Sequence, residues 1–201
     1  MNRQRHDFEV IARWVTPGER VLDLGCGDGS LIAYLQQHCQ IAGYGIELDP
    51  EKLIACIKNG VNVLQINLED GLRGFEDAQF DHVIMSLSLQ AVHQTEKILD
   101  EMLRVGTEAV VSFPNFGYWR HRQSILNGRM PVSESLPHQW YNTPNVRFFT
   151  IADFEALCEQ RGITVLECVA FDEDKPVAPE EANFLANVAM YRLARKPAAR
   201  A

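Results

Sequence analysis

The segment Val21-Leu22-Asp23-Leu24-Gly25-Cys26-Gly27-Asp28-Gly29-Ser30 most constrains what this chain can fold into. An apolar run closes on an acidic residue. Three glycines then alternate with other residues, and apolar positions at Leu31, Ile32 and Leu35 take up a helical spacing. That order describes a strand feeding a tight loop that opens a helix. Glycine belongs where backbone must take a positive φ or come very close to a ligand. The N–H groups and dipole of a helix N-terminus favour a negatively charged ligand group. A nucleotide-like ligand is therefore expected against this loop.

The glycine spacing narrows the nucleotide. A dinucleotide fingerprint, G-x-G-x-x-G, would need glycine at position 30, where the chain has Ser30. The frame present is Asp23-x-Gly25-x-Gly27-x-Gly29, and it resembles the first motif of class I S-adenosylmethionine (SAM) dependent methyltransferases. The resemblance implies that the loop, Cys26 included, passes under the methionine part of SAM. It also implies an acid at the end of the second strand that binds both ribose hydroxyls. Ile41-Ala42-Gly43-Tyr44-Gly45-Ile46-Glu47, followed by Leu48, supplies it. A carboxylate accepts two hydroxyl protons at once, which suits a vicinal diol. By the same resemblance Asn67 and Leu68 flank the adenine, Asn67 bonding the ring edge and Leu68 packing on its face. Asn67 reads equally as a turn residue satisfying its own backbone. Ligands in open α/β sheets bind at the carboxyl ends of strands where strand order reverses, which adds Ser86 and Leu87. The expected cofactor is SAM or S-adenosylhomocysteine (SAH), and no metal site is assigned.

The rest of the chain is read as one domain, 1–201, with an aromatic and basic insertion at about 114–149. Of its 201 residues 46% are hydrophobic, enough for a core, and its net charge of −8 opposes broad binding to nucleic-acid phosphate. The five cysteines, Cys26, Cys39, Cys56, Cys158 and Cys168, form no C-x-x-C pair and read as free thiols in a reducing cytoplasm. The polar start Met1–Asp7 lacks a signal-peptide stretch, no segment is apolar enough to span a bilayer, and Lys196–Ala201 is a short low-complexity tail.

Strands and helices alternate, which predicts a mostly parallel sheet covered on both faces. Strands are expected at Arg20–Leu24, up to Glu47-Leu48, Val61–Ile66, Phe80–Ser86 and Glu108–Phe113. Asp49-Pro50 opens a helix that Gly60 closes, and Thr95–Val105 is a helix closed by Gly106. Thr150-Ile151-Ala152-Asp153 is a capping box for a helix reaching Arg161, ended by Gly162. Ile163–Phe171 and Asn183–Leu193 complete the sheet as an antiparallel hairpin around an acidic loop. The sum is an α/β, Rossmann-like class I methyltransferase fold with a seven-stranded, mostly parallel sheet and a C-terminal antiparallel hairpin.

A closer resemblance rests on the glycine loop together with three later segments. These are Val111-Ser112-Phe113-Pro114-Asn115-Phe116-Gly117-Tyr118-Trp119-Arg120-His121-Arg122, Pro137-His138-Gln139-Trp140-Tyr141-Asn142-Thr143-Pro144-Asn145, and Phe148-Phe149-Thr150-Ile151-Ala152-Asp153-Phe154. Together they resemble the methionine biosynthesis MetW family from about residue 7 to 194. The resemblance implies a SAM-methyltransferase-like protein of methionine synthesis that acts as partner subunit of a homoserine O-acyltransferase. The alternative is an active methyltransferase on a small-molecule acceptor.

Residues 114–149 are also informative without the family. They carry Arg120, Arg122, Arg129 and Arg147 against Glu134 alone, with Tyr118, Trp119, Trp140, Tyr141, Phe148 and Phe149. Trp, Tyr and Arg mark interfaces, so the segment reads as a lid, a docking surface with Trp119 and Arg122 as contacts, or a small helical unit using its aromatics as core. Catalytic groups stay unassigned. His93 could be a base at the pocket mouth or a helix-start or surface histidine, and His138 and Tyr118 are similar long shots. Methyl transfer from a sulfonium needs mainly alignment.

Overall fold

The computed structural model describes residues 6–195; Met1–Arg5 and the expected tail Lys196–Ala201 lie outside the described residues. The chain runs α1 (His6–Trp14), β1 (Arg20–Leu24), α2 (Ser30–Cys39), β2 (Ala42–Glu47), α3 (Pro50–Lys58), β3 (Asn62–Gln65), β4 (Phe80–Ser86), α4 (Thr95–Val105), β5 (Gly106–Pro114), α5 (Trp119–Leu126), α6 (Ile151–Arg161), β6 (Ile163–Asp172), β7 (Lys175–Val177), α7 (Pro179–Leu185) and β8 (Val188–Arg195). Single 3₁₀ turns lie at Leu68–Asp70 and Leu89–Ala91.

The sheet has the order β3-β2-β1-β4-β5-β8-β6-β7. β1 pairs in parallel with β2 on one side and β4 on the other, so strand order reverses between β1 and β4. Side chains alternate across it. Val21, Ile84, Val110 and Met190 face α1–α3 with Phe8, Ile11, Ile32 and Leu35; Leu22, Val83, Val111 and Tyr191 face α4, α6 and α7 with Leu99, Met102 and Phe154. This is the doubly covered class I methyltransferase arrangement expected.

Local signals placed most elements. Asp49 caps α3 through Glu51 N at 2.8 Å with Pro50 as first helical residue. Thr150 and Asp153 form the capping box of α6, and Gly162 ends it in the left-handed region.

Three expectations are corrected. The sheet has eight strands, not seven, because β7 pairs with the end of β6 through Asp172↔Lys175. β6 and β8 do pair antiparallel, yet β7 and α7 stand between them, and Asn183–Leu185 are helical rather than strand. Pro179 at the first helical position, with Glu180 and Glu181 in the first turn, favours that helix start. β5 starts at Gly106 rather than Glu108: Gly106 closes α4 as expected, and its extended backbone also opens the strand. Its role is space: a Cβ there would lie 2.7 Å from Val83 Cγ2 and 2.8 Å from the Glu108 carbonyl oxygen.

Candidate functional site

The glycine loop is laced to the end of β2. Gly25 and Cys26 N–H groups both donate to the Ile46 carbonyl, at 2.8 and 3.0 Å. Gly27 N–H donates to Glu47 Oε2 at 2.9 Å, while Leu48 and Asp49 N–H groups donate to Glu47 Oε1 at 2.8 and 3.0 Å. A carboxylate offers roughly four acceptor directions, and the backbone takes three of them here. A vicinal diol would therefore share Glu47 with the loop. Gly25, Gly27 and Gly29 all take positive φ. A Cβ on Gly27 would meet no protein atom within 4 Å, so the space above it is open to a ligand. Gly29 lies behind the loop, where a Cβ would sit 3.1 Å from both Cys56 Sγ and Val61 Cγ2.

Two cavities meet at Gly25 and Ser86, at the β1/β4 reversal. The larger, about 470 Å³, is walled by Gly25, Glu47, Leu48, Asn67, Leu68, Ser86 and Leu87. The smaller, about 110 Å³, is walled by Asp23, Cys26, Gly27, Asp28 and Ser30 with Phe8 of α1. Ten of the eleven expected cofactor residues line one or both cavities; Gly29 lines neither.

The profile of the family described as "Methionine biosynthesis protein MetW" matches residues 5–193. The chain belongs to the MetW family. It is 40% identical over 179 residues to the bifunctional methionine biosynthesis protein MetXA/MetW of Rhodopirellula baltica, a match covering 84% of this chain and 29% of that protein. The chain thus spans under a third of that relative. Among solved structures it is similar to a SAM-dependent methyltransferase from Mesorhizobium loti, with TM-score 0.71 and 15% identity over 96% of this chain and 99% of that one. A TehB-like SAM-dependent methyltransferase from Corynebacterium glutamicum gives TM-score 0.67 and 17% identity, covering 97% and 90%. At such identity these two likenesses concern the fold.

In this MetW chain the wall after β4 is more elaborate than its sequence suggested. Leu87 takes φ 52°, a strained setting for a side chain with Cβ. Its N–H donates to Ser112 Oγ at 2.9 Å, and its carbonyl accepts Gln90 Nε2 at 2.7 Å. Ser86 Oγ lies 3.2 Å from Ser112 Oγ and 3.3 Å from Asp7 of α1. Asn67 accepts Glu69 N–H at 3.1 Å, which is the turn reading; its amide NH₂ is not used in that bond. His93 also lines the larger cavity, half-exposed or more, with Nδ1 3.2 Å from Glu69 Oε1. Glu69 also accepts the His93 backbone N–H, and these bonds hold its carboxyl below the usual carboxylate range. Neither Gln90 nor the Glu69–His93 pair carries a motif, so sequence reading had little signal for them beyond position after a strand.

The long β5–α6 connection reaches this cavity. Pro144 and Asn145 line it. Val146 and Arg147 N–H groups donate to the Gln90 carbonyl at 2.9 and 3.0 Å, and the Arg147 guanidinium donates to the His93 carbonyl. Asn145 is also a wall of a second, mainly apolar groove of about 290 Å³ formed by Phe116, Met130, Leu136, Trp140 and Phe148, with His138 at its side.

Asn115 holds the connection closed. Fully buried, its Oδ1 accepts Gly117 N–H at 2.8 Å and Ile151 N–H at 3.2 Å, one from each end of the segment. Its Nδ2 donates to the Ala186 carbonyl at 2.8 Å and the Asn183 carbonyl at 3.2 Å. Tyr118 is buried, donates to Asp172 at 2.8 Å, and has its phenol pushed up to about 12 by burial and that carboxylate, so it acts in packing. Arg122 is likewise structural: it donates to the Gly117 and Asn183 carbonyls. Cys26 Sγ lies 3.6 Å from Cys56 Sγ, and burial pushes both thiols up, away from thiolate chemistry. All five cysteines are free. Among the described residues no helix is long and apolar enough to cross a membrane, and no cluster of metal-ligating side chains is found.

Proposed function

We propose that the chain binds SAM or SAH where the two cavities join, and acts in methionine biosynthesis as an accessory subunit of a homoserine O-acyltransferase in the cytoplasm. The lacing of the glycine loop onto Glu47 at the strand-order reversal carries the cofactor reading. The smaller cavity, with Asp23 and Gly27, suits the methionine part; the larger, with Glu47, Asn67 and Leu68, suits ribose and adenine. In this reading residues 1–201 form one methyltransferase-like domain, and the β5–α6 connection is its insertion. The partner reading is supported by the Rhodopirellula relative, in which a MetW-like region occupies part of a bifunctional MetXA/MetW chain.

Isothermal titration with SAH tests the first half: saturable binding is expected, and NAD binding more tightly than SAH defeats it. Acyltransferase assays with and without the chain test the second half, where a rise in activity is expected and equal activity defeats it.

The Glu69–His93 pair favours a second reading. A carboxylate that takes Nδ1–H leaves Nε2 as a base at the cavity wall, the arrangement by which proton removal is assisted. An active methyltransferase on a hydroxyl or amine acceptor would use it. SAM turnover to SAH that falls with His93→Gln at unchanged SAH affinity is the result that would promote this reading over the first.

A further inference from the structure

The β5–α6 connection presents a second surface that cofactor binding does not use. Trp140 is 73% exposed, Tyr141 69% and Leu126 85%, and Met130 and Phe148 are about half exposed. Apolar side chains of this size seldom gather in solvent without a function. Three of them, Met130, Trp140 and Phe148, are walls of one groove floored by Phe116, Pro131 and Leu136. Trp140 and Tyr141 meet edge to face at 5.7 Å.

The segment that forms the groove is also basic, and Arg129 directly precedes the groove residue Met130. Outside the segment Arg20, Arg104, Arg161 and Arg192 each pair with a carboxylate, while Arg13 and Arg195 bond backbone carbonyls. Among the described residues Arg120, Arg122, Arg129 and Arg147 pair with none, although the protein as a whole is acidic with net charge −8. Arg122 and Arg147 are engaged with carbonyls and Arg120 lies over the Trp119 ring at 5.3 Å, which leaves Arg129 as the exposed charge beside Met130.

We infer that this groove is the docking face for the acyltransferase of the proposed function, on which the inference rests. The partner contributes an apolar side chain to the groove between Trp140 and Phe148, and an acidic group opposite Arg129. Charge complementarity selects such a partner over a second copy. A second copy meeting this face symmetrically would offer it the same basic segment, with Glu134 as its one acid. The relative in which a MetW-like region shares its chain with a MetXA unit requires such a contact to be compatible with one polypeptide.

The test uses the full chain and untagged homoserine O-acyltransferase in a biolayer binding assay. Trp140→Asp should weaken binding about tenfold or more, since aromatic anchors dominate interfaces. Arg129→Glu should weaken it several-fold, mainly through association rate, and flatten the salt dependence. Both variants should keep the wild-type melting temperature and SAH affinity, because neither residue is buried in the fold or lines the cofactor cavities. Wild-type binding that both variants retain in full overturns the groove while leaving the partner reading intact. Wild type that binds SAH but not the acyltransferase removes the partner reading itself. A wild-type dimer that Trp140→Asp dissociates overturns the inference in favour of a second copy.

Discussion

The glycine-loop edge and the β5–α6 connection solve the same problem, holding irregular backbone in place, by opposite means. At the loop edge, backbone carries the load. Gly25, Cys26 and Gly27 N–H groups reach Ile46 and Glu47, about twenty residues away on an adjacent strand. In the connection side chains carry much of it, Asn115 above all. Asn115 joins Gly117, Ile151, Asn183 and Ala186, with contacts up to 71 residues apart. The loop can leave its floor open for a ligand because neighbouring strands fix it. The connection enters no strand pairing, so a fully buried amide closes its ends, and aromatic surface is left outside.

Replacing Asn115 should therefore produce the largest effect and break the contrast most directly. Asn115→Leu fills the site but strands Gly117 N–H and Ile151 N–H and several carbonyls. Buried groups left unpaired cost about 1–3 kcal/mol each, so a loss of about 3 kcal/mol or more is expected. Hydrogen exchange should rise over residues 115–149 far more than over β1 and β2. Uniform exchange across both regions would mean that the amide is not a local clasp.

The same contrast explains what could be read from the sequence. β1, β4 and α4 match their expected bounds because each is framed by local chemistry: alternating or continuous apolar runs, and glycines at the turns. The capping box of α6 and the Asp49-Pro50 start of α3 are local as well. The Asp23/Gly25/Gly27 frame and Glu47 come together because strand order, once known, delivers strand ends to one edge. What was missed depends on contacts across the chain. Gln90, Pro144 and Asn145 join the cavity through hydrogen bonds 56 or so residues apart, which no pattern of spacing encodes. Trp119 and Arg122 read as contacts by residue type; to these the fold adds Trp140, which stands in solvent, and it gives Arg122 bonds to two carbonyls as well. β7 has three residues, too few to carry a periodic signal.

Glu47 offers an intermediate effect and sharpens the comparison from the loop side. Glu47→Ala removes the acceptor of three backbone N–H groups as well as the proposed diol contact. SAH affinity should fall more than about tenfold, as befits loss of a charged acceptor. Those N–H groups lie at the cavity edge and can turn to water, so stability should fall by only about 1 kcal/mol. Glu47→Gln should sit between, since one amide oxygen still accepts. If Glu47→Ala binds SAH like wild type, the ribose assignment is wrong. If it unfolds like Asn115→Leu, the two regions do not differ as argued.

The smallest effect separates the regions by pH. His121, buried under Tyr118 and Phe116, has Nδ1 3.0 Å from the Asn115 carbonyl and Nε2 3.0 Å from Ser133 Oγ. A carbonyl only accepts, so Nδ1 carries a proton. Burial lowers its pKa below the ordinary 6.5. The unfolded chain then binds the extra proton first, so this contribution to stability is whole above about pH 6.5 and shrinks as pH falls toward the folded value. At the cavity, Glu69 is held low by the His93 bonds, and its contribution is whole above about 4.5 and lost only further into acid. Acid should thus loosen the connection before the cavity edge. Exchange over 115–149 should increase as pH falls below about 6.5, while Leu68–Glu69 and His93 stay protected until below about pH 4.5. His121→Gln, which can still donate to the Asn115 carbonyl, should erase the upper step and leave the lower one. A single transition shared by both regions, unchanged in that variant, would show that His121 does not set the acid limit of the connection.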